Sequence, residues 1–167
     1  MIRAIVTFGY VGCLRPAPGT WGSLAAVLLA AVLHQAGLTV LLPVLVVAVT
    51  LLGFWAVPRA IAGSADKDPG EIVIDEVAGQ WLALCFTLVP LWWHGVSALA
   101  AWPGLVVPFV LFRLFDIWKP WLVGRADRRG DAAGVMLDDL WAGLFAGVCA
   151  MILAGLYHAV LQPMLGG

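Results

Sequence analysis

With 167 residues, 63% of them hydrophobic and only 11% charged, the chain carries less than half the charge of a soluble domain, in which about 25% of residues are charged. That excludes an ordinary water-soluble globule, and a net charge of −1 supplies no basic field for nucleic acid. The length allows one domain, 1–167.

Residues 1–15 carry Arg3 and Arg15 and lack the long apolar core and small-residue cleavage site of a signal peptide. An uncharged stretch follows from 16 to 58 and opens on Pro16-Ala17-Pro18-Gly19-Thr20-Trp21-Gly22-Ser23. There Thr20 can cap a helix, and the glycines let backbone N–H groups approach an anion at the helix start, so Thr20 and Ser23 are candidate substrate-binding residues. At about 1.5 Å per residue across a hydrocarbon core of about 30 Å, the stretch is too long for one crossing. The break His34-Gln35-Ala36-Gly37 predicts spans near 20–34 and 38–57.

The second charged segment, 59–76, ends on Asp75-Glu76 just before the third span. Residues 77–112 are again uncharged, and a break between Pro90 and Pro103 predicts spans near 77–93 and 98–112. The third charged segment, 113–139, carries Arg113, Asp116, Lys119, Arg125, Arg128 and Arg129 and ends on Asp138-Asp139 before a fifth span, 140–161. The expected architecture is an all-α integral membrane bundle of about five spans.

If the first two apolar stretches are hairpins, all three charged segments meet at one membrane face. Every Lys and Arg of the chain is in them, so the positive-inside rule makes that face cytoplasmic; the expected location is a bacterial-type inner membrane. Most tryptophans, Trp81 included, stand near span ends and read as interfacial anchors. Cys85 and Cys149 fall deep in spans and read as small apolar residues. His34, His94 and His158 fall toward the opposite face, which argues against a histidine nucleophile or base.

The carboxylates are few and gather at span ends. The helix dipole accounts for acids at N-termini, but not for Asp116 at the end of the fourth span, flanked at three residues on either side by Arg113 and Lys119. Asp75, Glu76, Asp116, Asp138 and Asp139 on one face would repel unless a cation joined them. All-oxygen ligation suits a hard divalent ion, Mg²⁺ where phosphate is handled. Arg113, Lys119 and Arg125 supply charge for a phosphate, although Arg125, Arg128 and Arg129 also set topology. Water attack at a metal centre is the economical mechanism. An ion-coupled transporter would use such carboxylates too, but it predicts ionisable residues through the membrane depth. A lipid-head-group transferase needs a longer Asp-rich helix than Asp138-Asp139.

These residues resemble the phosphatidylglycerophosphatase A family. The matching blocks are Pro18 to Ala26, Asp68 to Trp81, Phe112 to Trp121, and Gly134 to Asp139 with Ala142-Gly143. The resemblance implies an all-helical fold and Mg²⁺-dependent hydrolysis of phosphatidylglycerol phosphate, a membrane phospholipid, to phosphatidylglycerol and inorganic phosphate. It also implies that Asp75, Glu76, Asp116, Asp138 and Asp139 form the acidic active-site set, with Asp75, Glu76, Asp116 and Asp139 catalytic. The chain departs from the family at Arg15, at Leu122 and across Gly130-Asp131-Ala132-Ala133, to which no role transfers.

Overall fold

The computed structural model describes residues 1–64, 66 and 69–161; Asp68, which opens the second matching block, and the last residues of the expected 1–167 domain lie outside them. Every regular element among the described residues is helical. Helix α1 (Ile2–Val6) and a 3₁₀ turn (Val11–Cys13) lead into α2 (Pro18–Gln35), α3 (Leu41–Ala60), α4 (Ile74–Trp93) and α5 (Pro103–Trp118). A short α6 (Leu122–Asp127) and α7 (Ala132–Leu156) follow, and α7 continues into a π-helical turn (Tyr157–Leu161).

Local chemistry sets the boundaries, and in several places corrects the expected ones. Thr20 is not the cap of α2: Ala17 holds the N-cap position without a side-chain hydrogen bond, and Pro18 starts the helix where its missing N–H costs nothing. Helix α5 runs from 103 to 118 rather than 98 to 112. Pro103 opens it, Lys119 ends it in the left-handed region at φ 51°, and Pro120 prevents its continuation. Arg113 and Asp116 therefore lie inside α5, and Lys119 just beyond it.

The last long helix starts at Ala132 rather than 140 because Asp131 caps it, its Oδ1 accepting the Gly134 N–H at 2.7 Å. The Arg129 guanidinium hydrogen-bonds the Asp131 carboxyl and holds it below the usual carboxylate range, and the Gly134 N–H adds to the effect. The segment 130–133 is thus a helix start. Asp138 and Asp139 consequently lie within α7, about two turns from its beginning, and not ahead of it. Asp75 and Glu76 likewise lie in the first turn of α4, where the free N–H groups favour negative charge.

Among the described residues, three helices are long and apolar enough to cross a membrane: Leu41–Ala60, Ile74–Trp93 and Ala132–Val160. The expected five is therefore approximate. At 16 residues α5 is about 24 Å long, less than the hydrocarbon thickness. Helices α2, α4 and α7 all begin at the end of the bundle that carries the acidic residues, and α3 and α5 return to it.

Helix α4 is the axis, packed against α2, α3, α5 and α7 and buried on most of its circumference. One apolar cluster joins it to α2 and α3 through Ala26, Ala30, Leu42, Val77, Leu84 and Leu88. A second joins it to α5 and α7 around the fully buried Phe112. Trp81 belongs to this core rather than to an interfacial belt, its Nε1 donating to Ala26 O at 2.8 Å. Trp93, Trp102, Trp118 and Trp121 are exposed, as anchors should be. His34 is engaged at the far end, with Nε2 paired to Val96 O and Nδ1 to Thr39 Oγ1.

Candidate active site

Helices α4 and α7 cross backbone to backbone at two glycines. A β-carbon on Gly143 would run into the Gly79 carbonyl, and one on Gly79 into the Asp139 carbonyl. Asp75 precedes Gly79 by one turn, and Asp139 precedes Gly143 by one turn, so each carboxylate stands on the contact face of its helix. Because both helices start at the same end, the crossing brings the two acids together. With Glu76, they offer three carboxylate oxygens that all lie within 4.8 Å of one another.

Helices α2 and α5 close the site from the other side. Glu76 faces the first turn of α2, where a β-carbon on Gly19 would collide with Glu76 Oε1 and lie 3.2 Å from Arg113 Nη1. Only glycine lets α2 come this near. Arg113 Nη1 pairs with Asp116 Oδ2 at 2.8 Å and donates a longer hydrogen bond, 3.4 Å, to Ser23 Oγ. Ser23, fully buried, donates in turn to Gly19 O at 2.9 Å. Asp116 lies near enough to Asp139 for the two charges to interact. The five acids thus divide: Asp75, Glu76 and Asp139 form a compact group, with Asp116 beside it and tied to Arg113.

Asp138 turns toward Lys119, whose Nζ lies 2.8 Å from its Oδ2 and also pairs with Asp127. Asp116 is therefore not held between two cations, because the left-handed cap at Lys119 swings that side chain to α6 and α7. Burial pulls the Lys119 ammonium down, but hydrogen bonds and charge from Asp127 and Asp138 outweigh it and hold the group above its ordinary value. Lys119→Ala should lower the melting temperature by several degrees, since it strands the buried Asp138. Asp127→Asn, which removes a partner 42% exposed, should cost at most about 1 kcal/mol. Thermal melts of the two variants in one detergent check this ordering.

Arg125 stands exposed on α6 with no ion pair among the described residues, and Thr20 is half-buried in the first turn of α2. One polar residue was not singled out from sequence. Gln80, one turn below Glu76 on α4, is fully buried, and neither its Nε2 nor its Oε1 has a hydrogen-bond partner. The available signal was an amide in an otherwise apolar span.

Two oxygens of the compact acidic group, Glu76 Oε2 and Asp139 Oδ1, are buried without a hydrogen-bond partner, as is Arg113 Nε. Unpaired buried carboxylate oxygens are costly. A hard cation with oxygen ligands would satisfy both, so the donor set fits a divalent metal.

This is an integral-membrane-type helical bundle with an acidic centre, suited to a metal ion and flanked by an arginine and a lysine, at one end. The profile of the family described as phosphatidylglycerophosphatase A matches residues 4–154, and the chain belongs to that family. It is 33% identical over 137 residues to a Haemophilus influenzae protein named phosphatidylglycerophosphatase A, covering 81% of this chain and 77% of the relative. It is 32% identical over 148 residues to the Escherichia coli K12 protein of the same name, covering 85% and 77%. A Bacteroides thetaiotaomicron protein provisionally named phosphatidylinositol-3-phosphatase is 34% identical over 138 residues, covering 78% and 79%. No solved structure matches the chain.

Proposed function

We propose that this protein is a membrane-bound lipid phosphatase that hydrolyses phosphatidylglycerol phosphate to phosphatidylglycerol and inorganic phosphate. Mg²⁺ is its cofactor, and the chain works as one domain, 1–167. The observation that carries this reading is the group Asp75, Glu76 and Asp139 beside Arg113 and Ser23 at one end of an apolar bundle, in a member of this family. Two relatives bear the activity as their name. Asp75, Glu76 and Asp139 would hold the metal, with Asp116 and Asp138 alongside. Bound there, Mg²⁺ supplies Lewis-acid polarisation of the phosphoryl oxygens.

The remaining chemistry belongs to the chain's own side chains. Arg113 presents its guanidinium fork to the phosphate, and Lys119 a point charge, both offsetting negative charge that builds on the oxygens. Ser23 orients Arg113, while Thr20 and Arg125 bind the head group from α2 and α6. Water attacks phosphorus as the bond from phosphorus to the glycerol oxygen breaks. Asp116, at the rim of the acidic group, accepts the water's proton, and a proton returns to the leaving alkoxide. The site faces the cytoplasm in this reading, because every Lys and Arg of the chain lies in the three charged segments, whose described residues stand at its end of the bundle.

A second reading takes phosphatidylinositol 3-phosphate as substrate, favoured by the name of the Bacteroides relative; the same centre suits another lipid phosphomonoester. Purified protein offered each lipid, with Mg²⁺ or with excess chelator, separates the cases. Phosphatidylglycerol phosphate should release phosphate faster, chelator should stop the release, and added Mg²⁺ should restore it and raise the melting temperature. Undiminished turnover in chelator removes the metal from the mechanism, and faster release from the inositol lipid reassigns the substrate.

A further inference from the structure

Between the C-terminal end of α5, the turn after it and the flank of α7 lies a cavity of about 760 Å³, lined by Trp118, Lys119, Trp121, Phe145, Val148 and Cys149 among others. A membrane protein is apolar over much of its flank, so apolarity by itself identifies no ligand. Three features set this surface apart. It is concave, and of the size of a ligand site.

It is also amphipathic in a directed way. One end is Lys119, the same residue that pairs with Asp138 beside the acidic group. The remaining wall descends along α7 to Cys149. Its α7 lining runs from Leu144 to Cys149, about 8 Å at 1.5 Å per residue, and Cys149 lies about 16 Å along the helix from Asp138, within one leaflet of the ~30 Å hydrocarbon core.

The third feature is the turn. Lys119 and Trp121 both hold φ in the left-handed region, at 51° and 43°, on either side of Pro120. Residues with a β-carbon rarely adopt that conformation, and it recurs where a site fixes its side chains. Here it aims Lys119 inward at Asp138 while Trp118 and Trp121 stand out at the groove's edge.

We propose that this groove is the acyl-chain site of the lipid substrate. The phosphate end lies at Lys119, and a fatty acyl chain lies along Phe145, Val148 and Cys149 within one leaflet. The assignment rests on the lipid phosphatase reading and adds to it the route by which a membrane-embedded substrate reaches the acids.

The test uses the full chain in detergent micelles. Val148→Trp fills the groove without touching the acidic group. Phosphate release from phosphatidylglycerol phosphate with long acyl chains should fall about tenfold or more, the loss expected when two or so methylenes leave an apolar wall. Release from the deacylated head group should not change. An equal fall on both substrates, or no fall on either, overturns the proposal.

Alkylation of Cys149 by N-ethylmaleimide, followed by mass spectrometry in an Asp139→Asn background, needs no bulky substitution. Phosphatidylglycerol phosphate should slow it severalfold, whereas the deacylated head group should not. Absence of protection overturns the groove. Protection by lipid phosphate from a wild-type protein that frees no phosphate keeps the groove and overturns the phosphatase reading.

Discussion

Asp139→Asn should abolish phosphate release, by about a thousandfold or more, while the protein stays folded. The asparagine keeps the shape of the side chain and loses the charge that a hard cation selects. Polarisation of a phosphoryl oxygen by such a cation contributes several kcal/mol, and each ~1.4 kcal/mol is a factor of ten in rate. The same substitution should raise the melting temperature of metal-free protein. Crowding of the acids within 4.8 Å makes a charge on Asp139 unfavourable in the metal-free fold, and an amide, neutral folded or unfolded, removes that penalty. Mg²⁺ should then no longer raise the melting temperature. Asp75→Asn should behave alike. Melts with and without Mg²⁺, alongside phosphate release, check both halves; near-normal turnover in either variant would remove these residues from the metal centre.

Gly143→Leu should be the most damaging substitution outside the acids. Its side chain has nowhere to go but the Gly79 backbone, so α4 and α7 must separate along the most extensive helix–helix contact among the described residues. Overpacking typically costs about 1–3 kcal/mol and more when backbone is in the way. At roughly 2–4 °C per kcal/mol for a chain of this size, the melting temperature should drop by about 10 °C. Activity should be lost at temperatures where the protein is still folded, because the crossing that sets the helix separation also sets the spacing between Asp75 and Asp139. Gly155→Ala, on the same helix with nothing within 4 Å, is the control and should be neutral or slightly stabilising, since alanine favours helix by about 1 kcal/mol.

The distribution of charge made the bundle and the acidic end legible from sequence, because an apolar stretch can be satisfied only as helix in lipid. The identity of the acids was legible for the same reason: so few were present that each required an explanation. Helix boundaries were less so. Asp131 was read as part of a divergent loop, although an aspartate before two alanines is a cap signal. Missing it displaced Asp138 and Asp139 from inside α7 to a position ahead of it. The partner of Lys119 was not legible at all. Spacing of three residues suggests a shared face with Asp116, but a left-handed backbone at Lys119 breaks that periodicity and sends the side chain elsewhere. Gly143 could be read as a helix-packing residue, yet its contact with Gly79 depends on a tertiary register that no local pattern encodes.

The uncharged stretches also determine what the bundle does not conduct. No Asp, Glu, Lys or Arg lies in 16–58, 77–112 or 140–167, and His34 is bonded at the end remote from the acids. Moving a proton through a membrane protein takes a relay of titratable groups through its depth, and these stretches hold no Asp, Glu, Lys or Arg to build one. In the proposed reaction the proton and phosphate released by hydrolysis should therefore return to the compartment in which the head group was bound, so that turnover neither draws on a membrane potential nor dissipates it.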